Sequence, residues 1–146
     1  MNPLYQLRAS ITRAVFCAVA GLALAAVPAR AQSCRGPDQS SAHMLAYLKK
    51  LVASPDTVDQ AARWDLFIPE FDSSRVTLET STRVCDKVLA AFKTTLPADF
   101  PTPLPTSLYV AKVDKVFVAM APVAGAHTYP YAVIDSRYTV LSTYAQ

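Results

Sequence analysis

Four prolines fall within the nine residues from Pro97 to Pro105, and neither a helix nor a central strand can run through such a stretch. Each proline holds φ at about −65° and lacks the N–H that a helix or a sheet ladder requires. The segment is therefore read as a stiff, extended connector. Apolar residues recur at helical spacing before it, whereas β-branched and aromatic residues dominate short runs after it. A helical first half joined to a β second half is the constraint from which the rest of the reading starts.

In the first half, Met44, Leu45, Leu48, Leu51 and Val52 fall at 3.6-residue spacing, with Lys49 and Lys50 on the wet side. Ser40 or Ser41 is the expected cap, and Ser54-Pro55-Asp56 ends the helix after about Ala53. A short second helix is expected from Thr57 to Trp64, and Pro69 stops whatever follows. Trp64, Leu66, Phe67 and Ile68 are read together as a bulky plug for the core. Val76 and Leu78 alternate with Thr77 and Glu79, which gives a short strand from Arg75 to Glu79. Ser81 or Thr82 then caps a third helix whose stripe is Val84, Val88, Ala91 and Phe92, with Leu89 beside it.

The second half predicts two hairpins. Leu108 to Val113 and Val116 to Met120 flank Asp114-Lys115; Tyr129 to Asp135 and Tyr138 to Tyr144 flank Ser136-Arg137. Pro122 to Thr128, with Gly125, is a loop between them. The expected fold class is α+β: two main helices packed on one face of an antiparallel sheet of four to five strands, ending in two consecutive hairpins. Pairing Asp135 with Tyr138 puts Val133 opposite Val140 and Tyr129 opposite Tyr144. Tyr129, Tyr131, Tyr138 and Tyr144 then share one face, because residues two apart point the same way. They either sit under the helices or form an exposed amphipathic surface, and tyrosine suits the second role because one end is apolar and the other hydrogen-bonds. A one-residue slip would move the whole set to the other side.

The N-terminus concerns address. Arg8 and Arg13 precede an apolar run from Ala14 to Val27, Pro28 breaks it, and Ala29-Arg30-Ala31 supplies a small-x-small site. These are the parts of a secretory signal peptide, and the run is short for a membrane span. Residues 1–31 are read as the signal and 32–146 as a single exported domain, periplasmic or secreted. Three of the 14 basic residues leave with the signal, so 11 remain against 11 acidic ones. That balance removes the electrostatic case for nucleic acid or anionic membranes as partners, and no later segment reaches the length of a membrane span.

Cys17 lies in the discarded run, which leaves Cys34 and Cys85. In an exported domain two cysteines most simply form one disulfide, worth about 4 kcal/mol for a loop of this length on the chain-entropy account. Lipidation of Cys34 is the competing reading, although Gln32 is large and polar where a lipobox wants a small residue. Metal binding by two isolated thiols is the remaining alternative.

No catalytic, cofactor or metal set is expected. His43 and His127 stand alone in sequence, Glu70 and Glu79 are the only glutamates, and only Gly36 and Gly125 remain after the signal. Val84 to Phe92, Leu108 to Val113 and Ala132 to Asp135 resemble stretches of small exported bacterial α+β proteins. The order of elements is similar to cystatin-like and PepSY-like modules, which implies a helix packed on an antiparallel sheet and assigns no site residue. The expected function is a non-enzymatic exported module that binds a protein, peptide or envelope component through a sheet face or edge. The alternatives are a small extracytoplasmic enzyme with a dispersed site and a structural assembly factor of the cell envelope.

Overall fold

Val116-Phe117-Val118-Ala119-Met120 has no polar residue on either side of its pleat. A strand of that kind needs cover on both faces, since a sheet with one wet face reads as alternation. The computed structural model, which describes residues 32–68, 72–100, 103–122 and 129–144, provides both covers. The expected signal segment, Glu70, Gly125 and His127 lie outside those residues.

The helices are α1 (Gln39–Ala53), α2 (Thr57–Asp65) and α3 (Thr82–Lys93), and a single 3-10 turn spans Ser73–Arg75. The strands are β1 (Val76–Leu78), β2 (Tyr109–Val113), β3 (Val116–Met120), β4 (Tyr131–Asp135) and β5 (Val140–Tyr144). They form one antiparallel sheet in the order β1-β2-β3-β4-β5, so the two expected hairpins are consecutive neighbours. The described parts of the proline-rich segment carry neither helix nor strand.

The α+β class stands, but the helices divide between the faces of the sheet instead of sharing one. Tyr109, Ala111, Val113, Val118 and Val133 point toward α1 and pack with its Met44, Leu48, Leu51 and Val52. Their neighbours in the pleat, Val110, Phe117, Ala119, Ala132 and Ile134, point the other way and pack with Val88, Leu89 and Phe92 of α3. Two buried cores result, one on each side. The cause is the unbroken apolar character of β3 and of the inner parts of β2 and β4, which leaves neither face fit for water.

Both ends of α1 are held by residues remote in sequence. Its N-cap is Asp38, two residues before the earlier of the two expected caps. Asp38 Oδ1 accepts from the Ser41 N–H at 2.9 Å, and Ser41 Oγ accepts from the Asp38 N–H at 2.8 Å. This reciprocal capping box satisfies two otherwise orphaned donors. The buried Tyr109 hydroxyl of β2 donates to Asp38 Oδ2 at 2.5 Å. That bond is the chief reason the Asp38 carboxyl lies below its ordinary 3.8, with the Ser41 N–H adding to it. The same carboxylate, with burial, pushes the Tyr109 phenol above its usual value.

At the other end, Arg63 of α2 is only 3% exposed. Its Nη1 shares two hydrogens among the carbonyl oxygens of Leu51, Val52 and Ser54, at 2.9, 2.9 and 2.8 Å. The guanidinium therefore caps the C-terminus of α1, where a positive charge also meets the negative end of the helix dipole.

The expected plug divides after α2. The Phe67 N–H donates to the Trp64 carbonyl and the Ile68 N–H to the Arg63 carbonyl, at 2.9 and 2.7 Å. This is a Schellman turn with Phe67, at φ 53°, in the left-handed position that usually holds glycine. The turn sends Leu66 and Ile68 into the α1 core and leaves Trp64 75% and Phe67 48% exposed. An L-residue in that conformation costs about 1 kcal/mol, a cost the turn's hydrogen bonds and the burial of its neighbours must offset.

The N-terminal arm is bound at the edge of the α3 layer. Leu108 donates its N–H to the Ser33 carbonyl at 2.8 Å, and Arg35 donates to the Leu108 carbonyl at 2.7 Å. Cys34 forms a disulfide with Cys85 of α3, with the Cα atoms 5.3 Å apart. The Ser33 hydroxyl donates to the Asp86 carboxylate in the next position of the same helix.

Two outcomes test these anchors. Arg63→Leu leaves two buried carbonyls and a part-buried one without their donor, so urea unfolding is expected to show a loss of about 3 kcal/mol, whereas exposed Lys50→Leu stays within about 0.5 kcal/mol. The second concerns pH. A depressed carboxyl stabilises the fold fully above its ordinary value, and that contribution disappears as pH falls through the lower folded value. Tyr109→Phe brings Asp38 back toward 3.8. The variant should therefore lose less stability than the parent between about pH 5 and about pH 2, with the Asp38 titration read by carboxyl NMR.

Candidate binding cleft between α1 and the sheet

The last hairpin decides which tyrosines come together. Its loop holds three residues, Ser136, Arg137 and Tyr138, not two. The Tyr138 N–H donates to the Asp135 carbonyl and the Asp135 N–H to the Thr139 carbonyl, both at 2.9 Å. Asp135 Oδ1 also accepts from the N–H groups of Arg137 and Thr139, at 2.8 Å each. Tyr138 takes the left-handed position at φ 64°, as in three-residue hairpin loops that end in a bulge. Beyond it Ile134 pairs with Val140, but Val133 pairs with Ser142, so Leu141 is an extra residue.

The odd loop and the bulge together correct the expected register. Tyr131 stands opposite Tyr144 and Val133 opposite Ser142, each shifted from the sequence-based pairing. Tyr138 leaves the set altogether. Its ring stacks on Phe117 in the α3 layer, with centroids 6.1 Å apart and planes 4° from parallel, and Lys87 Nζ lies 4.9 Å from its centroid. It serves the opposite core from Tyr131, which packs against the α1 core. For Tyr144, the described feature is its register position beside Tyr131.

Tyr129 and Tyr131 do come together, and residues of α1 meet them. Ser40, His43, Met44, Tyr47 and Leu48 lie along one face of α1, three and four residues apart. With Leu66, Val118 and Met120 they and the two tyrosines enclose a cleft of about 370 Å³. Its floor is apolar and buried, made by Leu48, Leu66 and Val118. Its rim is amphipathic: Tyr47 is 56% exposed, His43 is exposed, and Tyr129 and Tyr131 are half-buried. Among the described residues that line it there is no Lys, Arg, Asp or Glu.

Sequence reasoning identified Tyr129 and Tyr131 but missed Tyr47, His43 and Met120. The available signal was that Tyr47 and His43 flank the apolar stripe of α1 at positions 47/48 and 43/44. Nothing in the sequence said that this flank faces the start of β4. Among the described residues, no group of His, Cys, Asp and Glu has the arrangement to hold a metal ion. A scan against protein-family models found no match, and searches of curated proteins and of solved structures found none either.

The split of the tyrosines is open to direct measurement. Tyr138→Ala removes the stack on Phe117 and should cost about 1–2 kcal/mol in chemical unfolding. Tyr47→Ala, on the open rim, should stay within about 0.5 kcal/mol.

Proposed function

We propose that this protein is a non-enzymatic exported module that binds its partner component through the α1 face of the sheet, with the cleft as the contact point. The observation that carries the proposal is the meeting of Tyr129 and Tyr131 with Tyr47 and His43 around a buried apolar floor. Its volume lies within the range of ligand sites, which combine an apolar lining with a few placed polar groups. Tyrosines add contact area with little entropy to lose and a hydroxyl to orient the bound group.

The neighbouring edge supports the same reading. Among the described residues no strand pairs with the outer side of β5, and Val140 to Tyr144 contains no charged side chain. Such an edge lacks the charges by which sheets ordinarily discourage added strands. Export belongs to the proposal too, with Gln32 as the first residue after cleavage. It is supported by the Cys34–Cys85 disulfide, which suits an oxidising compartment. No helix of the described residues is long and apolar enough to cross a membrane.

Protein-observed NMR against a mixed panel of neutral, anionic and cationic fragments and short peptides tests the site. Shifts are expected to concentrate at Met44, Tyr47, Met120 and Tyr131. Hits confined to exposed Trp64 and Phe67, or scattered over the surface, would overturn the cleft as the binding site.

A further inference from the structure

The cleft constrains its occupant in size, charge and polarity. A cavity of about 150 Å³ accepts one benzene ring, so about 370 Å³ has room for roughly two. A single phenylalanine or tyrosine side chain from another protein would cover the floor and leave the outer part of the cleft open. Charge narrows the choice further. An ionised group carried below the rim would be stripped of water with no Lys, Arg, Asp or Glu among the described lining residues to offset it, a cost of several kcal/mol. Polarity then sets the orientation. Leu48, Leu66 and Val118 form a buried floor of apolar side chains, while the polar residues that reach solvent, His43, Tyr47 and Tyr129, lie among the more exposed part of the lining. Met44 and Met120 stand on opposite walls, one on α1 and one on β3. Thioether side chains adapt to irregular shapes and make favourable contacts with aromatic rings.

Building on the cleft as the binding site, we propose that its ligand is an uncharged small molecule with an apolar body of about two rings and hydrogen-bonding groups at its outer end. The body rests on the floor between the two methionines, and the polar end meets the tyrosine rim. A neutral ligand enters without the desolvation cost a charged analogue would incur. The selection is therefore exercised by the lack of a Lys, Arg, Asp or Glu counter-charge among the described lining residues as much as by the fit of the rings.

Three naphthalene probes of equal body and different charge separate the possibilities: 2-naphthol, naphthalene-2-sulfonate and naphthalen-2-ylmethylammonium. Protein labelled at its methionine methyl groups is titrated with each. 2-Naphthol should shift the Met44 and Met120 methyl signals saturably and bind roughly tenfold or more tightly than either ion. Tyr47→Ala should weaken that binding several-fold with an unchanged melting temperature. Met120→Trp should abolish it by filling the space, and Tyr47→Ala keeps the test decisive if that larger side chain prevents folding. Equal or tighter binding of either ion would overturn the ligand class while leaving the cleft as a binding site. Tighter binding of the neutral capped peptide acetyl-Gly-Trp-Gly-amide than of 2-naphthol would overturn it in favour of a protein side chain. Methyl signals that stay still with every probe would overturn both the ligand class and the cleft.

Discussion

The central strands bury both of their faces, and the position of every helix follows from that constraint. Val110, Phe117, Ala119, Ala132 and Ile134 on one side, and Ala111, Val113, Val118 and Val133 on the other, are shielded from water. At about 25 cal/mol per Å² of apolar surface, neither face is small enough to leave wet. One main helix is therefore needed on each side. α3 supplies the first cover, and α1 with Leu66 and Ile68 supplies the second.

Each cover is anchored by an interaction that does not depend on the packing it supports. On the α3 side the disulfide, the Ser33–Asp86 hydrogen bond and the arm's pairing with Leu108 tie helix and β2 together. On the α1 side Asp38 joins the start of the helix to Tyr109, while Arg63 closes its end. Arg63 is charged and buried, which is tolerable only because its donors meet the free carbonyls of a helix C-terminus. Fixed at both ends, α1 holds Met44 and Tyr47 beside Met120 and Tyr131, and the cleft is the space that this placement leaves.

Of the three described non-glycine residues with positive φ, Phe67, Asp114 and Tyr138, the two aromatic ones shape the surface. Phe67 turns the chain so that Leu66 lines the cleft while the Trp64 and Phe67 rings face outward. Tyr138 ends a three-residue loop and delivers its ring to Phe117. In each case an aromatic residue occupies a conformation that sequence rules reserve for glycine or asparagine. That is why the residues after α2 do not all enter the core and why the turn about Ser136-Arg137 takes in Tyr138 as well. A local preference of about 1 kcal/mol yields where hydrogen bonds and ring packing on either side favour the turn.

Periodicity in the sequence by itself determined the helices, the strands, their order into hairpins and the break at the prolines, because apolar spacing and proline chemistry act over a few neighbouring residues. It also contained the cue that both faces are buried, in the unbroken run Val116 to Met120, although hairpin reasoning alone suggested a single covered face. The cysteine pair was legible from count and expected compartment, and the fold brings Cys34 to Cys85. The tertiary structure alone decided which helix covers which face, that Arg63 caps a helix other than its own, and that Tyr138 departs from Tyr129 and Tyr131. It also decided that His43 and Tyr47 meet those two tyrosines, more than eighty positions away in the chain. Such pairings depend on loop geometry and on the packing of whole elements, and neither leaves a periodic trace in the residues that eventually touch.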